Sequence, residues 1–136
     1  MYGCAGKILR VNLTRGKISN ERLKEDVARK FLGGRGLGAK FLFEELKPGI
    51  EPLGPENKLV FAVGPVTGAP FAGNSGWVVM AKSPLTGLWG EAHAQGYFAT
   101  EMKYAGYDAI IIEGKAKKPV YLWVHDGKAE LRSAEH

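Results

Sequence analysis

The chain has 136 residues, 45% hydrophobic and 24% charged, which suits one folded domain with a core, is thin for two, and argues against intrinsic disorder. Lys and Arg number 19 against 14 Asp and Glu, a net charge of +5; this favours anionic partners modestly, but only Lys115, Lys117 and Lys118 cluster, so no specific nucleic-acid binding is expected. No apolar run approaches the ~20 residues of a membrane span, and the start Met1-Tyr2-Gly3-Cys4-Ala5-Gly6-Lys7 lacks the pattern of a signal peptide, so no membrane partner is expected and the expected compartment is the cytoplasm.

In chain order, Lys7 to Leu13 alternates, with Leu9, Val11 and Leu13 on one side and Ile8, Arg10 and Asn12 on the other. That is a half-buried strand. Thr14-Arg15-Gly16-Lys17 turns, and the strand pattern resumes over Ile18 to Arg22, predicting a hairpin. Leu23, Val27 and Phe31 then recur every four residues, the period of a helix that Gly33-Gly34 ends. A second helix is expected from about Leu37 to Leu46, stopped by Lys47-Pro48-Gly49.

After the loop around Pro52, Gly54 and Pro55, Lys58 to Val63 reads as a buried strand and Trp77 to Ala81 as another. Between them, residues 64–76 are small and rich in turn formers. Residues 82–87 read as a turn and residues 90–96 as a glycine-containing loop that leads into a helix from Ala94 to Ala105. Tyr107 to Glu113 contains Ala109-Ile110-Ile111-Ile112, a strong strand signal. Pro119–Val124 and Lys128–Arg132 flank Asp126-Gly127, a hairpin-turn dipeptide. Strict strand–helix alternation is missing. The expected class is therefore α+β: one β-rich domain over residues 1–136, with mixed or antiparallel sheets and about three helices.

The chemistry-bearing residues are few. Cys4 is the single cysteine, so the chain has no internal disulfide and cannot supply the thiolates of an iron–sulfur cluster or a Cys-rich zinc site. His93, His125 and His136 have no metal-site spacing. No nucleophile elbow, Walker A run or acid pair of catalytic spacing is present. Gly33-Gly34-Arg35-Gly36-Leu37-Gly38 lacks the dinucleotide-binding spacing and follows a helix. It reads either as a helix–helix corner or as backbone pressed close to an anion, with Arg35 in support.

Glycine is the outlier, 19 residues, about twice the usual ~7%. The glycine-rich segments 33–38, 64–76, 82–87 and 90–96, if they converge, make a backbone-rich platform suited to a large flat or phosphorylated ligand. His93, beside Glu91 and at an expected helix start, is a candidate within it.

Several collinear motifs carry a resemblance. They are Met1-Tyr2-Gly3, Arg10-Val11-Asn12-Leu13-Thr14, Gly33-Gly34-Arg35-Gly36-Leu37, Pro55-Glu56-Asn57-Lys58-Leu59, Lys82-Ser83-Pro84-Leu85-Thr86-Gly87 and Tyr104-Ala105-Gly106-Tyr107-Asp108-Ala109. Together they resemble the N-terminal domain of the tungsten-containing aldehyde:ferredoxin oxidoreductase family. The resemblance implies a cytoplasmic enzyme that oxidises aldehydes to carboxylic acids and passes electrons to ferredoxin. It implies tungsten, or molybdenum, held by a bis-pterin cofactor whose phosphates are bridged by magnesium. The [4Fe–4S] cluster and the catalytic groups would then belong to downstream domains of the same polypeptide, so that this piece is a truncated, non-catalytic base domain, compatible with a homodimer.

The resemblance also assigns cofactor-binding positions. A basic residue of the family falls at Gly76, preceded by Asn74 and Ser75, so that charged contact is missing here. An Asn that meets the bridging magnesium and the pterin falls at His93, which makes His93 a candidate metal ligand, although hard cations prefer oxygen. A neighbouring backbone contact falls at Gln95, beside Gly96. A reading from another class is a stand-alone scaffold or partner-binding domain that has lost catalysis.

Overall fold

The computed structural model describes residues 2–135. Lys7–Asn12 (β1) and Lys17–Arg22 (β2) form the N-terminal hairpin, with Lys7 opposite Arg22 and Asn12 opposite Lys17. Glu25–Phe31 (α1) and Gly34–Glu45 (α2) follow. Next come Lys58–Val63 (β3), Gly76–Lys82 (β4) and Trp89–Gln95 (β5). Tyr97–Tyr104 (α3) leads into Ala109–Glu113 (β6). Val120–His125 (β7) and Lys128–Ser133 (β8) close the described chain as a separate two-stranded hairpin.

The first six strands make one mixed sheet in the order β2-β1-β6-β3-β4-β5, in which only β1 and β6 run parallel. This is the expected α+β architecture. The sequence period of two explains the layering. Ile8, Val60, Ala62, Val78, Met80, Ala109 and Ile111 face α1 and α2 and bury Leu37, Phe41 and Leu42. Leu9, Val11, Val63 and Ile110 face the other way, onto Ala99 and Met102 of α3, with Leu122, Val124, Ala129 and Leu131 of the β7–β8 hairpin packed around them. Strand β6 lies inside the sheet with helices or hairpin on both faces, so its apolar run is continuous rather than alternating. The turn between β7 and β8 has positive φ at both Asp126 (44°) and Gly127 (72°), as a two-residue hairpin turn of the right twist requires.

One buried charge ties the layers together. Asp108, 2% exposed, accepts from the backbone N–H groups of Ala5 (2.9 Å) and Gly6 (2.6 Å) and from Lys103 Nζ (2.6 Å). The same lysine donates to the Gly64 carbonyl. Asp108 thus anchors the N-terminal segment, α3 and the end of β3 at one point.

Two expectations need correction. Residues 90–96 are not a loop: Trp89–Gln95 is strand β5, the outer neighbour of β4, and α3 begins at Tyr97 rather than Ala94. His93 therefore sits within an edge strand and not at a helix N-terminus. The second helix also begins earlier, at Gly34 rather than Leu37. Its corner with α1 needs glycine for room, since a Cβ at Gly33 would lie 2.8 Å from the Val63 carbonyl oxygen and 3.0 Å from the Gly64 Cα. No helix among the described residues is long and apolar enough to cross a membrane.

Candidate functional site

The tight corner at Gly33 presses the start of α2 against the end of β3, and this places Arg35 over the outer strands of the sheet. Gly76 of β4 stands opposite Gln95 of β5, and Val78 opposite His93. Residues opposite one another in a ladder share a face, so Glu91, His93 and Gln95 lie on the same side of the sheet as Val78, the α2 side. Between them is a shallow cavity of about 450 Å³, lined by Gly34 and Arg35 of α2, Ala62 and Gly64 from the end of β3, Gly76, Trp77 and Val78 of β4, and His93, Ala94 and Gln95 of β5.

Three of the four glycine-rich segments thus converge on one cavity: 33–38 through the first turn of α2, 64–76 through its two ends, and 90–96 through β5. The segment 82–87 does not. Lys82 and Gly87 line a separate apolar groove with Phe43 and Leu46 of α2 and with Leu88 and Trp89. Of the six positions singled out by the resemblance, Gly76, His93 and Gln95 line the cavity. Asn74, Ser75 and Gly96 are not among the lining residues. The Gly96 N–H donates to the Ser75 carbonyl (3.2 Å) and hydroxyl (3.3 Å), and the Asn74 carbonyl accepts from Gly68 (3.3 Å). A Cβ added at Gly76 would meet nothing within 4 Å, so the cradle is open above β4.

Arg35 is the one permanently charged residue of the lining. Its guanidinium is gripped side-on by Glu91: Nε donates to Oε2 at 2.8 Å and Nη2 to Oε1. The indole N–H of Trp89 adds a third bond to Glu91 Oε2, at 3.0 Å. The hydrogen bonds from Arg35 outweigh the effect of burial and, helped by those of His93 and Trp89, hold the Glu91 carboxyl well down, at about 2. His93 Nε2 lies 3.1 Å from Arg35 Nη2 and 3.2 Å from Glu91 Oε1. One ring nitrogen cannot accept from the guanidinium and donate to the carboxylate at once, so His93 serves one partner or the other.

The position of Arg35 among glycines points to an anion; its clamp by Glu91, 56 residues away, has no signal in the sequence. The polar side chains of the lining are the Arg35 guanidinium, the His93 imidazole and the Gln95 amide, with no carboxylate among them, a set suited to oxyanions rather than to a hard cation. No group of three or more His, Cys, Asp or Glu that could hold a metal ion exists among the described residues. Cys4 packs against the core, and burial, reinforced by Asp108 and only partly countered by Lys103, pushes its thiol pKa up. It is not a ready thiolate.

A larger cleft of about 510 Å³ lies on the opposite face, between α3 and the β7–β8 hairpin. Its walls are mainly apolar, including Phe61, Phe98, Met102, Ile110, Leu122 and Val124, and none of the glycine-rich segments reaches it.

The comparisons with known proteins agree with the motifs. The family model described as the aldehyde ferredoxin oxidoreductase N-terminal domain matches residues 8–136. A tungsten-containing aldehyde ferredoxin oxidoreductase of Pyrococcus abyssi is 53% identical over 134 residues, covering 98% of this chain and 22% of that protein. The WOR-like subunit of an aliphatic sulfonate oxidoreductase of Pyrococcus furiosus is 44% identical over 98% of this chain and 22% of its own length. Among solved structures, the active-site complex BamBC of benzoyl coenzyme A reductase, in complex with 1,5-dienoyl-CoA, superimposes with a TM-score of 0.95 at 40% identity, over 98% of this chain and 20% of that one. The chain spans about a fifth of the length of these relatives. On the strength of the matched model and of these identities, the chain belongs to the aldehyde ferredoxin oxidoreductase family and corresponds to its N-terminal domain.

Proposed function

We propose that this domain is the platform on which a tungsten or molybdenum bis-pterin cofactor lies, within an oxidoreductase that converts aldehydes to carboxylic acids and delivers the electrons to ferredoxin. The observation that carries the reading is the convergence of Gly76, His93 and Gln95 with Gly34, Gly64 and Arg35 around one shallow cavity. The fit is chemical as well as geometric. The open space above Gly76 leaves room for a flat organic group to approach the backbone of β4, and the single cation, Arg35, suits its phosphates.

When bound, the metal centre supplies the two-electron chemistry. The chain's own part is to hold and orient. Gly34, Gly64 and Gly76 let the backbone approach the organic framework without intervening side chains. Arg35 supplies fixed positive charge, and His93 and Gln95 supply hydrogen bonds from the β5 side. The donor set does not suit magnesium through a His93 ring nitrogen, so a bridging magnesium would draw its ligands from carbonyl oxygens, water or phosphate. The [4Fe–4S] cluster, the aldehyde pocket and the catalytic acid or base belong, in this reading, to parts of the protein outside these residues.

A second reading is favoured by the likeness to the benzoyl coenzyme A reductase complex and to the sulfonate oxidoreductase subunit: the same platform serves a reaction other than aldehyde oxidation. Elemental analysis and pterin fluorescence of the longer protein, purified without oxygen, test the platform reading. Stoichiometric tungsten or molybdenum with pterin is expected. Protein that binds neither, from medium supplying both metals, contradicts it. Turnover of aldehydes, sulfonates and acyl-CoA substrates then separates the two chemistries.

A further inference from the structure

The side-on grip on Arg35 has a chemical meaning. A guanidinium binds a carboxylate and a phosphate through the same two-pronged geometry. Glu91 occupies the Nε–Nη2 edge of Arg35, and His93 Nε2 lies 3.1 Å from the same Nη2. The Nε–Nη2 edge is therefore occupied, and an oxyanion entering the cavity takes that fork only when Glu91 yields.

Glu91 can yield without being left unpaired. The Arg35 side chain is 63% exposed and that of Glu91 21%, so water reaches the guanidinium when it turns from its partner. Once Arg35 leaves, Glu91 still has the Trp89 indole N–H at 3.0 Å, and His93 Nε2 at 3.2 Å is freed from Arg35 to serve it. Trp89 and His93 can thus keep Glu91 satisfied after Arg35 has left.

We propose that Glu91 is an internal stand-in for a ligand oxyanion: it holds the Arg35 fork while the cavity is empty and surrenders it to a phosphate-class anion that enters between α2 and β5. The proposal rests on the platform reading for the identity of the cavity as a ligand site, and it adds an exchange that the platform reading does not require. The shared chemistry is a tetrahedral phosphate oxyanion, whether free or as the monoester of an organic group.

The test is a titration of the full 136-residue chain with inorganic phosphate and with 4-nitrophenyl phosphate, at constant ionic strength, read by calorimetry and by the NMR signal of the Arg35 side-chain N–H. Saturable binding is expected. Glu91→Gln is expected to tighten it by about fivefold, because the competitor loses its charge, while Arg35→Ala weakens it by about tenfold. Arg35→Lys, which keeps the charge and loses the fork, falls between wild type and Arg35→Ala. Glu56→Gln on the distant 51–57 loop changes net charge equally and is expected to leave affinity within about twofold. Tighter binding of the aryl ester than of inorganic phosphate identifies an esterified phosphate as the ligand; the reverse order identifies free phosphate.

The proposal is overturned if Glu91→Gln leaves affinity unchanged or weakens it, if Glu56→Gln tightens binding as much as Glu91→Gln does, or if no saturable binding occurs in any variant. Metal and pterin content of the longer protein keeps the two readings apart. Protein that carries the cofactor while Glu91→Gln has no effect on phosphate sinks the stand-in alone. Cofactor-free protein with the opposed phosphate shifts sinks the platform alone.

Discussion

Gly76 on β4 and Gln95 on β5 stand opposite one another across an antiparallel ladder, although 18 residues of intervening chain separate them in the sequence. That register makes one wall of the cavity from two strands and brings His93 onto the face covered by α2. Arg35, from the first turn of that helix, closes the other side. The cradle is thus a product of three separate backbone segments held by sheet pairing and by a glycine corner.

Because the space above Gly76 is open, a charge placed there is expected to act on the proposed cofactor rather than on the fold. Gly76→Asp is expected to leave folding stability within about 0.5 kcal/mol of wild type, since the added side chain enters open space. In the longer protein it is expected to lower tungsten or molybdenum occupancy by about tenfold or more, through repulsion of an anionic group. Urea denaturation and metal analysis check the two halves separately.

Asp108 carries structural weight of another kind. Asp108→Asn removes the partner of Lys103 in a buried setting and weakens two bonds to the backbone of Ala5 and Gly6. Breaking one side of a buried pair costs about 3 kcal/mol or more, so the urea midpoint falls sharply. An unchanged midpoint would show that the N-terminal segment is anchored elsewhere.

Acid sensitivity follows from a second network. Burial pushes Glu45 up, but the hydrogen bonds and charge of Arg10, joined by Lys58, outweigh it and hold its carboxyl below 4.5. Glu113 is lowered mainly by its hydrogen bond from Lys58, against burial and with help from Asn12. A carboxylate depressed in the folded state stabilises it above the unfolded pKa, and that stability is lost as pH falls through the depressed value. Stability measured in urea is expected to drop between about pH 5 and pH 3. Arg10→Met should shrink this drop while lowering stability at neutral pH.

The corner before α2 stores strain. Leu32, exposed and not glycine, has φ 62° and ψ −64°, and Gly33 N–H donates to the Phe31 carbonyl at 2.8 Å. That is a γ-turn of the strained hand. Leu32→Gly relieves a cost of about 1–3 kcal/mol, offset by about 1 kcal/mol of chain entropy. The expected net is a small rise in thermal midpoint. A marked fall would mean that the Leu32 side chain contributes packing outweighing the strain.

Much of this fold is legible in the residues. The alternation of Leu9, Val11 and Leu13, the run at Ala109–Ile112 and the Asp126-Gly127 turn each carry a local signal that the structure realises. Strand β5 is different. Its outward positions Gly90, Ala92 and Ala94 are small, and Trp89, Glu91, His93 and Gln95 on the α2 side are polar or large, so it alternates in size rather than in hydrophobicity. As an exposed edge strand it has no buried stripe to betray it. The Arg35–Glu91 pair spans 56 residues, beyond any local pattern. The resemblance singled out Gly76, His93 and Gln95 as candidates, and the ladder register explains how positions so far apart in the sequence come to line one cavity.

The central claim is that the metal-bearing group lies in the cavity between Arg35 and the β4–β5 wall. Anomalous diffraction at the tungsten absorption edge, from crystals of the longer protein grown with its cofactor, tests it most directly. The account predicts pterin density against Gly76, His93 and Gln95, with the metal peak on that side of the sheet. Pterin and metal bound instead in the cleft between α3 and the β7–β8 hairpin, or this cavity filled by other protein, would contradict it.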